Sequence, residues 1–375
     1  DAQAHLHHAY LLGLQLMISS RKGPEVMGDW MFRLFRRQHL EKFLSSFDKL
    51  GLTGLPHAVA CARYHVLSNN MGGVGVEYME ENDRKAWVRF RYPRWMYHGP
   101  TVCGVPVEVS RGFLKGWYAH NGVSLENPRL GYVCVSEDMT GEFGLCGYFK
   151  EYDHDLSDDE RLQFAKGELP PPFDPALQPE PPADQWNGLR LAKANRNYAM
   201  EYIRNGLCEL AGVIGEAETR ELGGLAARLI GLQYFPETAA MVEAEDGDVT
   251  AAASYLARMF SGMGDAAAVS SDGDSATIEQ TGLRQHHRAR TGGIKRGAFP
   301  VHQAYPFHEF RIAPMDVLVR AQPEFGQYHN IGRRIVRYRA MGNDRNAVTA
   351  GKRFPGGRDD THLETGPGRF RAHQR

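Results

Sequence analysis

Apolar residues in the first seventy positions recur every three or four residues. Met31, Leu34 and Phe35 share one helical face behind Asp29, a residue suited to cap a helix start. Leu40, Phe43, Leu44, Phe47 and Leu50 continue the spacing to Gly51, where a helix is expected to end. A further short helix is expected over Ala58–Leu67, broken by Asn70-Met-Gly-Gly. His5, His7 and His8 read as a frayed, tag-like polar start rather than as a metal cluster.

The period then falls to two. Val74, Val76 and Tyr78 alternate, Glu80-Glu-Asn-Asp83 supplies a turn, and Ala86, Val88 and Phe90 alternate again. This pattern predicts a β-hairpin with one apolar face and Arg89 and Arg91 on the other. Residues 131–135 and 145–149 predict a second hairpin across Glu137–Gly144. Within 87–155, aromatics, histidines and cysteines concentrate among glycines, which reads as twisted strands joined by glycine turns at the mouth of a pocket.

Residues 156–186 carry Leu-Pro-Pro-Pro followed by Pro175, Pro179, Pro181 and Pro182, the signature of a stiff extended linker. Helical periodicity returns after Asp184: Tyr198, Tyr202, Ile203, Leu207 and Leu210 form one stripe, and Leu222, Leu225, Leu229 and Leu232 the next, up to Pro236. Asp248 caps a third helix with Val249, Ala252, Tyr255, Leu256 and Met259 inward. Strand segments 267–270 and 276–279 flank Asp272-Gly-Asp274, a hairpin signal. The order helix, Met-Gly, strand, acidic turn, strand therefore occurs twice, at Met71 and again at Met263, an offset near 191.

The expected fold is α+β, with helices followed by an antiparallel sheet, partly duplicated, and an irregular basic C-terminal region. The expected organisation is a domain at 1–155, a proline-rich linker at 156–186, a helical second half-domain at 187–284 and a basic tail at 285–375. That tail holds 17 Lys/Arg against 7 Asp/Glu and no Trp or Cys, so the rest of the chain is correspondingly acidic under a net charge of -1. It reads as a disordered or frame-displaced segment before it reads as a nucleic-acid arm, because aromatic residues are not regularly interleaved with its basic ones.

Composition is that of a globular protein, with 42% hydrophobic and 24% charged residues. No run approaches the ~18 apolar residues of a membrane span. A signal peptide is not expected, since Leu11–Ile18 is short and follows no basic region. The chain opens on Asp1 rather than Met, so an upstream stretch is expected. Five cysteines, odd in number and without a CxxC pair, suggest free thiols in a reducing cytoplasm.

Candidate chemistry lies in the middle third. His120, within Trp117-Tyr-Ala-His-Asn-Gly122, suits a general acid or base: aromatic neighbours desolvate it, Asn121 can orient a ligand, and Gly116 and Gly122 permit tight turns. Asp138 is its expected partner carboxylate, with Glu137 adjacent. Cys103, five residues after His98, and Cys146 are candidate nucleophiles. Trp95, His98, Trp117, Tyr118, Asn121 and Tyr148 are expected to line the pocket. Cys103, His120, Cys134, Cys146, Asp153 and His154 can supply a divalent metal site, although ligand-pair spacing is absent. No phosphate-binding glycine motif occurs, so a nucleotide cofactor is not expected.

Arg89-Phe-Arg-Tyr-Pro93, Asn127-Pro, Cys134-Val-Ser-Glu-Asp138 and Gly144-Leu-Cys146, after a helical start, a Met-Gly-Gly break and an acidic hairpin, resemble the L-2-amino-thiazoline-4-carboxylate hydrolase-like family over about residues 30–152, with an echo at 195–284. The resemblance implies a small helical α/β fold and hydrolytic opening of a cyclic amidine-type ring. Tyr92 stands before Pro93 where that family leads one to expect Cys. Related 4-vinyl-reductase-like domains share the outline and bind small molecules without catalysis. The expected function is thus hydrolysis of a small polar or cyclic C–N substrate. The alternatives are a non-catalytic small-molecule-binding or accessory subunit, alone or in an oligomer, and nucleic-acid binding through the basic end.

Overall fold

Two helical hairpins carry the fold, and each bends at a glycine. The computed structural model describes residues 1–91, 101, 103–142, 144–245, 247–272 and 275–281, with strand pieces 311–312, 317–318, 322–323 and 333–339. Helix α1 (Ala2–Lys22) meets α2 (Pro24–Lys42) at Gly23, φ 87°. Helix α6 (Gly188–Ile214) meets α7 (Glu216–Met241) at Gly215, also φ 87°. Positive φ is strained for side-chain-bearing residues, so glycine fits both corners. The hairpins interlock, α1 resting on α7 and α2 on α6.

Several helix boundaries correct the sequence expectation. The start of α2 is set by Pro24 in its first turn, whereas Asp29 lies mid-helix and pairs with Arg33 at 3.0 Å. Met31, Leu34 and Phe35 are buried as expected. The stripe beyond Gln38 breaks into short 3-10 turns, leaving Leu40 and Leu44 exposed while Phe43 and Leu50 turn inward. His5, His7 and His8 belong to α1 and are not a frayed end. His7 is buried and accepts from the Gln3 amide at 2.8 Å, and His5 pairs with Glu237 at 3.2 Å. Pro236 does not end α7, which runs on to Met241 at the cost of one backbone hydrogen bond.

Helix α3 (His57–Met71) leads into β1 (Val76–Asn82) and β2 (Lys85–Phe90), the expected hairpin. Arg89 and Arg91 both pair with Glu77, at 2.7 and 3.2 Å. The middle third is not strands throughout. Helix α4 (Glu108–Gly116) and the short α5 (Asn121–Ser124) precede β3 (Leu130–Ser136) and β4 (Cys146–Glu151). The glycines read as turn formers instead permit close helix contact. A Cβ at Gly112 would stand 2.8 Å from the Gly28 carbonyl oxygen, and one at Gly116 would stand 2.6 Å from that of Phe32. Close approach of α4 to α2 therefore excludes any side chain at either position.

The proline-rich stretch is a strap across the sheet. Its β5 (Leu162–Phe164) pairs parallel with β3, completing the order β1-β2-β4-β3-β5. Ala165 and Phe173 cover an outer apolar cluster of Met79, Trp87, Val133, Val135, Cys146 and Tyr148. At the opposite edge the Gln178 side chain takes the Tyr78 N–H at 2.9 Å and donates to the Tyr78 carbonyl at 2.8 Å. The strap thus ties both edges of the sheet, and such edges otherwise present unpaired backbone groups. One hydrophobic core continues from 1–155 into 187–281, so the expected boundary does not divide it. A proline-rich composition marks extended backbone, and whether that backbone separates or straps depends on the apolar surface beneath it.

The duplication is visible in the backbone. Met71 ends α3 and Met263 ends α8 (Val249–Met263), and the glycine corners at 23 and 215 stand at the same offset of 192. Asp248 caps α8 as expected, accepting from the Thr250 and Ala251 N–H groups at 2.8 and 3.2 Å. Strands β6 (Ala266–Ser271) and β7 (Ser275–Thr281) form the second hairpin. After the short pair β8 (Arg311–Ile312) and β9 (Val317–Leu318), β10 (Gln322–Pro323) and β11 (Arg333–Arg339) extend the second sheet. Its order β6-β7-β11-β10 parallels β1-β2-β4-β3. The remainder of the basic region, including any nucleic-acid arm, lies outside the described residues. No described helix is long and apolar enough to cross a membrane.

Candidate functional site

A histidine cluster lies where α2, α3 and the turn before α5 converge. His39 on α2 and His65 on α3 are buried, and His120 is half-buried beside them. The His39 and His120 rings meet edge to face at 5.2 Å. His39 stacks on Phe43 at 4.6 Å, and His65 lies parallel to Phe149 at 5.4 Å. Asn121, itself buried, donates its amide to His65 Nε2 at 2.9 Å, and His39 Nε2 lies 2.8 Å from Ser124 Oγ.

All three imidazoles are held neutral. Burial lowers His39 to about 3, and the neighbouring His120 and Arg36 add to the effect. Burial also lowers His65, with His39 contributing. His120 falls to about 4, through burial first and then through Arg36 and Arg161, against a pull from Asp158. The carboxylate acting on His120 is therefore Asp158, whereas Asp138 sits in the 3-10 turn Asp138–Thr140 on the hairpin loop.

Other expected residues scatter. Tyr118 fills the core, 3.9 Å from His65 and 4.7 Å from Tyr132 by ring centroid. Tyr148 faces the outer side, donating to Glu168 at 2.8 Å. Cys146 belongs to that outer cluster and Cys134 to the inner core, so the sheet separates them. Burial pushes the Cys146 thiol up to about 12 and raises that of Cys134 as well. Cys103 is exposed. Glu137 is fully buried in a two-pronged pair with Arg111 at 3.0 and 3.1 Å. Asp153 pairs with Arg84 at the surface, at 2.7 Å. Among the described residues no three His, Cys, Asp or Glu side chains group as a metal site. Trp95 and His98 lie outside the described residues.

Beside the histidine cluster a cleft opens between α2, α3 and α6. Its outer part, about 460 Å³, is lined by Lys42, Lys49, Tyr64, Ser68, Trp186, Arg190 and Lys193 among others. The adjoining inner part, about 230 Å³, adds Trp117, Tyr198 and Tyr202. Trp117 bridges the two features, with its ring 5.9 Å from both His39 and His65. Its indole N–H is buried and has no hydrogen-bond acceptor. Of the expected pocket residues, Trp117 alone among those described lines this cleft.

The described matching positions of the second half are packed with apolar side chains. At the offset of 192, Tyr64 and Ser68 correspond to Leu256 and Phe260, and Tyr198 to Leu6. Leu6, Leu256 and Phe260 are all buried in the core. His39, His65 and the α6 wall were missed in the sequence, where only polar residues inside apolar helical stripes signalled them. No family model, curated protein or solved structure matches the chain.

Proposed function

We propose that this chain binds a small cyclic molecule in the cleft between α2, α3 and α6. The observation that carries this reading is the difference between the halves: Ser68 and Tyr198, over a buried Tyr64, line an opening where Phe260 and Leu6, over a buried Leu256, fill core. A fold that tolerates apolar packing at these positions does not need polar aromatics there, whereas a ligand pocket does. Aromatic walls from Trp117, Tyr198 and Tyr202 bury a flat ring. The test is a fluorescence and thermal-shift titration of the full chain with cyclic amides and amidines. Ser68→Phe, copying Phe260, should abolish the response while the fold survives. An unchanged response in that variant would remove the cleft from consideration.

A second reading is hydrolysis of a C–N bond in such a molecule, with His120 as general base. It is favoured by the position of His120, whose ring meets His39 at 5.2 Å while His39 meets the cleft residue Trp117 at 5.9 Å, and by burial, which keeps one nitrogen of the His120 imidazole unprotonated. His120→Ala should then stop turnover of a cyclic amidine without weakening its binding. A chain that only binds shows no turnover to lose.

A further inference from the structure

Electrostatics at the mouth of the cleft point to the ligand's chemical class. Helix α6 has no acidic residue in its first turn, and Arg190 and Lys193 occupy its first two turns. Cations near a helix N-terminus oppose the macrodipole, and two of them three residues apart repel each other. The first acidic side chain of α6, Glu201, already pairs with Lys42 at 2.9 Å. Glu41, the carboxylate lining the outer cleft, is held by Arg37 at 3.0 Å and Asn205 at 2.9 Å.

Lys49, Arg190 and Lys193 therefore line one chamber with no carboxylate partner among the described residues. Two contacts hold this group together. The Trp186 indole donates to the Lys49 carbonyl at 2.9 Å, and the Arg190 guanidinium lies 4.2 Å over the Trp186 ring. One Arg190 N–H goes to the Gln185 carbonyl at 2.6 Å, which leaves most of its fork for a ligand. At the inner end, Trp117 is only 7% exposed and its N–H lacks an acceptor. A molecule occupying the cleft must satisfy a cationic mouth and an aromatic interior together.

We infer that the ligand of this cleft is a phosphate monoester of a small flat ring, its dianionic group at Lys49, Arg190 and Lys193 and its ring toward Trp117. The inference rests on the cleft reading above and adds the charged group. A dianion matches three unpaired cations better than a monoanion does, because each charge-assisted hydrogen bond strengthens with acceptor charge. The absence of a glycine-rich phosphate loop is no obstacle, since side chains supply the donors here.

Calorimetric titration of the full chain with phenyl phosphate, benzoate, benzamide and inorganic phosphate tests it. Phenyl phosphate should bind at least about tenfold more tightly than benzoate, and its affinity should fall steeply with added salt. Lys193→Gln and Arg190→Gln should each weaken phenyl phosphate by about tenfold and leave benzamide unchanged. Benzoate or benzamide binding as tightly as phenyl phosphate overturns the dianion and leaves the cleft reading intact. Inorganic phosphate matching phenyl phosphate overturns the ring assignment. Silence from every probe overturns both this inference and the reading beneath it.

Discussion

The indole N–H of Trp30 donates to the Gly206 carbonyl at 2.7 Å, joining α2 of the first half to α6 of the second. Gly206 carries no side chain to hold the helices apart, and the bond is buried between them. Removing the donor strands a buried carbonyl, which costs about 1–3 kcal/mol. Trp30→Phe should lower stability by that amount plus a packing loss, in a single transition. Two separated transitions on thermal or urea unfolding would show instead that the halves fold independently.

Gly116 and Gly212 predict opposite outcomes for the same substitution. A Cβ at Gly116, the last residue of α4, would stand 2.6 Å from the Phe32 carbonyl oxygen, whereas one at Gly212 in α6 meets nothing within 4 Å. Gly116→Ala should destabilise by about 1–3 kcal/mol as α4 is pushed off α2. Gly212→Ala should stabilise by about 0.5–1 kcal/mol. Denaturant midpoints of the two variants check both signs.

Acid should destabilise the chain through its histidines. His39 and His65 have folded-state affinities for protons far below those of an unfolded imidazole, near 6.5. The unfolded chain therefore binds protons that the folded one refuses as pH drops below 6.5. Stability contributed by the neutral rings is complete above that value and is lost on the way down to about 3 for His39. The slope should approach about 1.4 kcal/mol per pH unit for each imidazole. Urea unfolding between pH 7 and 4 measures it, and His39→Gln should make the dependence shallower.

Thiol labelling separates the cysteines. Cys103 is exposed, whereas Cys61, Cys134, Cys146 and Cys208 are buried. Burial also raises the affinity of Cys146 and Cys208 for their protons, to about 12 and about 11. An alkylating reagent should modify one thiol quickly in the native chain and the rest only on unfolding. Rapid native labelling of Cys146 would restore it as a nucleophile.

The strap predicts a local effect. Gln178 closes the β1 edge by bonding both backbone groups of Tyr78. Gln178→Ala should cost about 1–2 kcal/mol and speed amide exchange in β1 while leaving α6 and α7 unaffected.

Local patterning determined most of the long helices, both hairpins and their repetition, because a 3.6-residue or two-residue period of apolar side chains is written in adjacent positions, whereas α4 and α5 lay in a stretch read as strands. Asp248 could be read as a cap for the same reason. Asp29, Pro236 and the strap were misread because tertiary contacts, not neighbours in sequence, decide whether a capping residue caps or a proline ends a helix. The site was less legible still. Trp117, His120 and Asn121 stood out by composition, but the partners that give them an environment come from α2 and α3, 56 residues away for Asn121 and His65 and 81 for His120 and His39, with nothing nearby in sequence to mark them. The chain by itself determined most of its helices and strands, though not α4 or α5. Only packing of the two halves decided which histidines stay neutral and that a cleft opens between α2, α3 and α6, since burial and volume are properties of neighbours that the linear order does not contain.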